Sequence, residues 1–116
     1  MGLLEELKDL GVNTEEGAER MGGNISLYER MLVKFADMIK QSPVQPDFDS
    51  NNYNDITDAA HAIKGASGNL SVTPVYEAYT EIVRLLRAGQ PEKAKDTLEK
   101  IIPIQSKIVD CIEKYS

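Results

Sequence analysis

NYNDITDAAHAIKGASGNLSVTPVYEAYTEIVRLLRAG, residues 52–89, decides the fold of this 116-residue chain. Turned at about 100° per residue, its first half brings Ile56, Ala60, Ile63, Ser67 and Leu70 onto one side of a helix, with Ala59 and Ala66 at the edge of that stripe. The stretch SVTP breaks the period. Thr73 then fits an N-cap with Pro74 at the first helical position, and Val75, Tyr79, Ile82 and Leu86 share the next apolar face up to Gly89. Two helices joined by so tight a turn pack antiparallel, so the pair predicts a helical bundle.

Further helices lie on either side. Residues 3–10 form a short amphipathic segment ended by Gly11, and NTEEGAERM reads as a second, capped by Asn13 or Thr14 with acids in its first turn. GGN at 22–24 ends it. Ser26 and Glu29 have capping-box spacing, and Tyr28, Met31, Leu32, Phe35, Ala36 and Ile39 recur at three- and four-residue intervals to about Gln41. SPVQPDFDSNN carries no apolar period and is read as a long connection, residues 42–52. Pro91 opens a last helix to Tyr115 with Ala94, Leu98, Ile101, Ile108, Ile112 and Tyr115 near heptad spacing; Pro103 inside it removes the bond to the Glu99 carbonyl and predicts a kink. The expectation is a single all-α domain over residues 1–116. It is an up-and-down four-helix bundle (25–41, 52–70, 74–88, 91–115) preceded by one or two short helices within 1–24.

Composition narrows the function. A net charge of −6 opposes binding to nucleic acid or an anionic membrane surface, and no apolar run reaches the ~20 residues that span a bilayer. MGLLEELKDLG lacks the basic end and apolar stretch of a signal peptide, so a cytoplasmic protein is expected. One cysteine and one histidine cannot close a zinc site, and Cys111, spaced with Ile108, Ile112 and Tyr115, reads as a partly buried, inert thiol.

That one histidine, His61, falls on the side of its helix away from the core, among Asn54, Thr57, Asp58, Lys64, Gly65 and Gly68. A solvated surface histidine is commonplace, but glycine inside a helix costs about 1 kcal/mol relative to alanine, so two of them one and two turns past His61 need a reason. Gly68 can be the fraying end of the helix; Gly65 is harder to explain that way. A bare backbone beside the imidazole lets another protein's surface come close. An imidazole with a pKa near 6.5 is largely neutral at pH 7 and nucleophilic without an activating base. Lys64 places a cation one turn away. Phosphoryl transfer asks the protein mostly for positioning and charge compensation, so these two groups suit a phosphoryl carrier. The chain has no P-loop and no convincing carboxylate cluster for magnesium.

AHAIKGASGNL resembles the motif of the histidine-containing phosphotransfer (HPt) domain family: alanine, histidine, a hydrophobic residue, lysine, glycine, then small residues and leucine. GVNTEEGAERMGGNISLYERMLVKFADM is similar to the family's opening helices, and with RLLRAG the resemblance covers nearly the whole chain. It implies a phosphorelay intermediate in which His61 accepts a phosphoryl group from a receiver-domain aspartate and passes it to another receiver. Lys64 stabilises the phosphorylated ring and Gly65 permits close approach. Helix geometry adds Asn54, Thr57, Asp58, Gly68 and Asn69 as the docking surface. The implied chain holds no cofactor or metal of its own, magnesium coming from the receiver. Its implied partners are response-regulator receivers, with a hybrid sensor histidine kinase as a further candidate, and the chain itself is expected to be a monomer. Three positions depart from the family pattern: Ser71 replaces a usual glycine, Tyr79 a small residue, and Val83 a Glu or Gln facing the histidine. Tyr79 and Val83 motivate an alternative, a helical adaptor that binds receivers or a kinase without transferring phosphate; the apolar stripes alone motivate a plain structural bundle.

Overall fold

Apolar side chains three and four apart leave each helix with one face that water disfavours, and burying a Leu, Ile, Val or Phe side chain contributes about 1.5–3 kcal/mol. The computed structural model, which describes residues 2–116, satisfies those faces with six helices and, among the described residues, no strand. They are α1 Leu3–Asp9, α2 Thr14–Arg20, α3 Ile25–Gln41, α4 Asn54–Asn69, α5 Thr73–Arg87 and α6 Pro91–Tyr115. α4 packs on α5 and α5 on α6, while α3 closes the bundle by touching both α4 and α6. α1 lies against α6, and α2 links it to α3.

The buried positions are those the periodicity selects: Leu32, Phe35 and Ile39 from α3, Ala60, Ile63 and Ser67 from α4, Val75, Tyr79, Ile82 and Leu86 from α5, and Leu98, Ile101, Ile108 and Ile112 from α6. Ile56, Ala59 and Ala66 are half-buried at the margin, and Tyr115 is exposed. α6 runs without interruption through Pro103, which sits on its exposed side.

Several ends differ from expectation. α4 spans Asn54–Asn69 rather than 52–70, and α5 spans Thr73–Arg87 rather than 74–88. Val72, not Thr73, occupies the cap position of α5, and the Thr73 hydroxyl donates to the Ser71 carbonyl. At α3 the cap is Asn24, whose Oδ1 accepts from the Leu27 N–H at 3.0 Å, instead of Ser26 with Glu29. An Asn one residue before the helix reaches the orphan N–H groups, so the box further along is not needed. Asn13 caps α2 in the same way, accepting from the Glu16 N–H.

The long connection is not a free loop. Val44 and Phe48 are buried, the Phe48 and Tyr53 rings stand 6.2 Å apart, and the Lys95 ammonium lies 4.8 Å from the Phe48 ring centroid. Ser50 donates to Glu92 at the start of α6. Residues 42–53 therefore act as a strap along α6, from Val44 beside Ile102 and Val109 to Phe48 and Ser50 near its start, using two apolar anchors too far apart to show a period.

Candidate functional site

The site begins with how α4 ends. Leu70 is its C-cap, the Val72 N–H donates to the Ser67 carbonyl at 2.9 Å, and the Ser71 N–H donates to the Gly68 carbonyl at 3.3 Å. This is a Schellman closure, which calls for a left-handed residue at the first position past the cap. Ser71 supplies it with φ 56°. The side chain is tied as well: its hydroxyl donates to Glu16 Oε1 at 2.7 Å, and its carbonyl accepts from the Asn13 N–H at 2.9 Å. The Ser71 hydroxyl, more than any cation, holds the Glu16 carboxyl below its ordinary range, with Arg20 adding to the effect.

A second tie runs through Tyr28 on α3. Its hydroxyl donates to the Leu70 carbonyl at 2.7 Å, and its ring lies directly under Gly17 of α2, where any Cβ would collide with it. Burial, with the Glu16 charge nearby, pushes this hydroxyl up to about 12. The end of α4 is thus fixed from α2 and α3 together.

On this support His61 is exposed, Lys64 is half-buried one turn on, and Gly65 is exposed. Neither the His61 nor the Lys64 side chain has a hydrogen-bond or ion-pair partner among the described residues. A Cβ built on Gly65 meets nothing within 4 Å, so the backbone there opens onto solvent. Gly68 is different. Its open side is filled by the Tyr76 ring of α5, whose Cδ1 and Cε1 would stand 2.9 Å from a Cβ. The glycine there makes room for an internal neighbour.

His61, Lys64, Gly65, Gly68 and Asn69 line a groove of about 570 Å³ together with Asn13, Glu16 and Arg20 from the α2 side and Tyr76 and Glu77 from α5. Arg20 and Asn69 also border a neighbouring, mostly apolar groove of about 490 Å³ between α3 and α4, walled by Met21, Met31, Phe35, Met38, Ala66 and Leu70, with Lys34 at its rim. Sequence reading did not pick out Arg20, Tyr76, Glu77 or the methionine-lined groove; the recurrence of Met31, Phe35 and Met38 along one edge of α3 was the available signal.

Of the other residues expected to dock a partner, Asn54 and Asp58 are exposed. Thr57 is half-buried and spends its hydroxyl on the Tyr53 carbonyl at 2.9 Å. Asn54 and Thr57 share a separate groove with residues 51–53, Leu86 and Arg87, near the start of α4. Asn69 lies at the other end, about 12 Å from His61 along the helix axis at the usual rise per residue. Val83 is buried and offers the imidazole no hydrogen bond. Tyr79 is fully buried; its hydroxyl lies near Gln105 without a well-formed hydrogen bond, and burial pushes it up to about 12.

The structure brings together no group of three or more His, Cys, Asp or Glu side chains able to hold a metal ion, among the described residues. No helix among them is long and apolar enough to cross a membrane. Cys111 is half-buried, and burial pushes its thiol up, away from the reactive thiolate.

Among models of known families, the one described as the Hpt domain matches residues 19–115. No curated protein matches the chain, and no solved structure does.

Proposed function

We propose, from the premise that this chain belongs to the Hpt domain family, that His61 is its phosphoacceptor and that receiver domains dock over Gly65 to reach it. Hpt domains serve histidine phosphotransfer in phosphorelays; they are phosphoryl carriers without an ATP site of their own, and they generally interact with receiver domains. Hpt proteins are typically cytoplasmic, and the same compartment is proposed here.

The observation that carries the assignment is the exposed, unpartnered imidazole beside Lys64 and the open backbone of Gly65. In the forward step a ring nitrogen attacks the phosphorus of a receiver aspartyl phosphate; the N–P bond forms as the acyl O–P bond breaks, and the aspartate leaves as a carboxylate. The second ring nitrogen keeps its proton. Lys64 then faces the new dianionic group and offsets its charge. The receiver brings the aspartate and the magnesium. The bond broken, an acyl phosphate, and the bond formed, an N-phosphoimidazole, are both energy-rich, so the transfer can run in both directions. The apolar groove beside the site gives a receiver a surface to bury, with Arg20 and Lys34 at its edge to meet acidic side chains.

The test is incubation with a panel of phosphorylated receivers and magnesium, followed by mass spectrometry for an acid-labile phosphoryl group. Label on His61 that disappears in His61→Gln is the expected result. Buried Val83, which leaves the imidazole without an orienting hydrogen bond, favours one rival: an adaptor that binds receivers without accepting phosphate. Receiver binding that is equal in the wild type and His61→Gln, with no label on folded wild-type protein, would establish that rival.

A further inference from the structure

Tyr76 combines two properties that do not usually coincide on a helix surface. Its side chain is exposed, at 39% of its full accessibility, yet the ring is seated against the backbone of α4 in the notch that Gly68 leaves. Of the large hydrophobic residues that the described surface exposes, Ile25, Tyr76, Ile104 and Tyr115, it alone lines the groove that holds His61, Lys64 and Gly65.

We propose that Tyr76 is a receiver-docking residue, its ring forming the aromatic wall against which a receiver domain seats while its aspartate reaches His61. The proposal rests on the receiver-docking reading above and deepens it. A tyrosine has only two side-chain torsions, and one already held by its neighbours loses little further freedom on binding. Such pre-set aromatics are the residues that concentrate binding energy at protein interfaces. The hydroxyl has no partner among the described residues, which leaves it able to bond to an incoming surface. The groove around it is polar and carries both signs, Glu16 and Glu77 against Arg20 and Lys64, so the ring is the one large apolar anchor there. Gly68 takes its place in this arrangement as the seat: a methyl group at position 68 would lift the ring by crowding Cδ1 and Cε1.

The experiment measures two quantities for a receiver that phosphorylates the wild type: its dissociation constant in the unphosphorylated form, and the rate of His61 labelling at saturating phosphorylated receiver. Tyr76→Ala and Gly68→Ala are each expected to weaken receiver binding on the order of tenfold, while the saturating rate stays within about a factor of two. The double variant should bind no more weakly than Tyr76→Ala, because both changes remove the same contact. Tyr76→Phe keeps the wall and should bind close to the wild type. Thermal unfolding of each variant checks that it is folded. Unchanged receiver affinity in folded Tyr76→Ala, with normal wild-type labelling, overturns this proposal alone and leaves the ring a packing residue. Failure of every receiver to label the wild type overturns the His61 reading and this proposal with it.

Discussion

Lys64 reaches its half-buried place with no carboxylate to neutralise it, which leaves its charge free for a group that arrives on His61. Lys64→Ala should therefore slow labelling of His61 by roughly tenfold, equivalent to about 1.4 kcal/mol of transition-state stabilisation, without lowering the unfolding temperature appreciably. Gly65→Gln should slow it comparably by occupying the open backbone, and rapid single-turnover kinetics would read both. Ser71 gives a stability prediction of a different kind. A non-glycine residue in the left-handed region costs about 1 kcal/mol, and here the hydroxyl's bond to Glu16 offsets part of that. Ser71→Ala keeps the strain and loses the bond, whereas Ser71→Gly loses both, so the glycine variant should be the more stable of the two by about 1 kcal/mol in urea denaturation. The exposure of His61 follows from its turn angle on the helix and so was legible in the sequence; Lys64, expected on the same solvated face, is half-buried instead. The partner of Gly68 was not legible. A glycine that admits an outside surface and one that admits Tyr76 look alike until the tight turn at 70–73 sets how α5 lies on α4.

Among the elements, α3 supplies one of the two ties that fix the C-terminal end of α4, the other coming from α2. Tyr28→Phe removes the donor to the Leu70 carbonyl while keeping the ring under Gly17, and should cost about 1–2 kcal/mol in chemical denaturation. The periodicities of α3, α5 and α6 placed those helices closely, because each buries one continuous apolar face. Cap residues were harder to place: Asn24 and Ser26 are both good caps by type, and only the local chain path decides that Asn24 meets the Leu27 N–H. The strap over residues 42–53 was illegible for a plainer reason. Its anchors lie beside parts of the chain distant in sequence, Val44 at the end of α3 and the middle of α6 and Phe48 near the start of α6, and a segment with two buried residues in twelve carries no repeat. The apolar groove between α3 and α4 likewise exists only once two helices are set side by side.

For the molecule as a whole, pH limits stability from both sides. Glu6, Glu15, Glu16 and Glu81 are held below the ordinary carboxylate range, chiefly by hydrogen bonds from Lys114, Lys8, Ser71 and Arg84 respectively. A carboxyl lowered in the folded state stabilises above its unfolded pKa, and that contribution is lost as pH falls through the folded value, so the unfolding temperature should drop below about pH 4. On the alkaline side Tyr28 and Tyr79, raised to about 12 by burial, stabilise fully below their unfolded pKa near 10 and lose that contribution as pH rises through the folded value. In a spectrophotometric titration Tyr28 and Tyr79 should ionise well above pH 10, or together with unfolding. The family match opens at residue 19, inside α2, yet Leu3, Leu7, Val12 and Ala18 are buried in the shared core, and Glu6 pairs with Lys114 at the far end of the chain. The recognisable unit and the cooperative unit thus have different borders. Anyone transplanting this relay into a fusion protein would, by cutting at the match, strip the cover from the Tyr28 ring and untie Ser71; a portable version has to carry its first eighteen residues along.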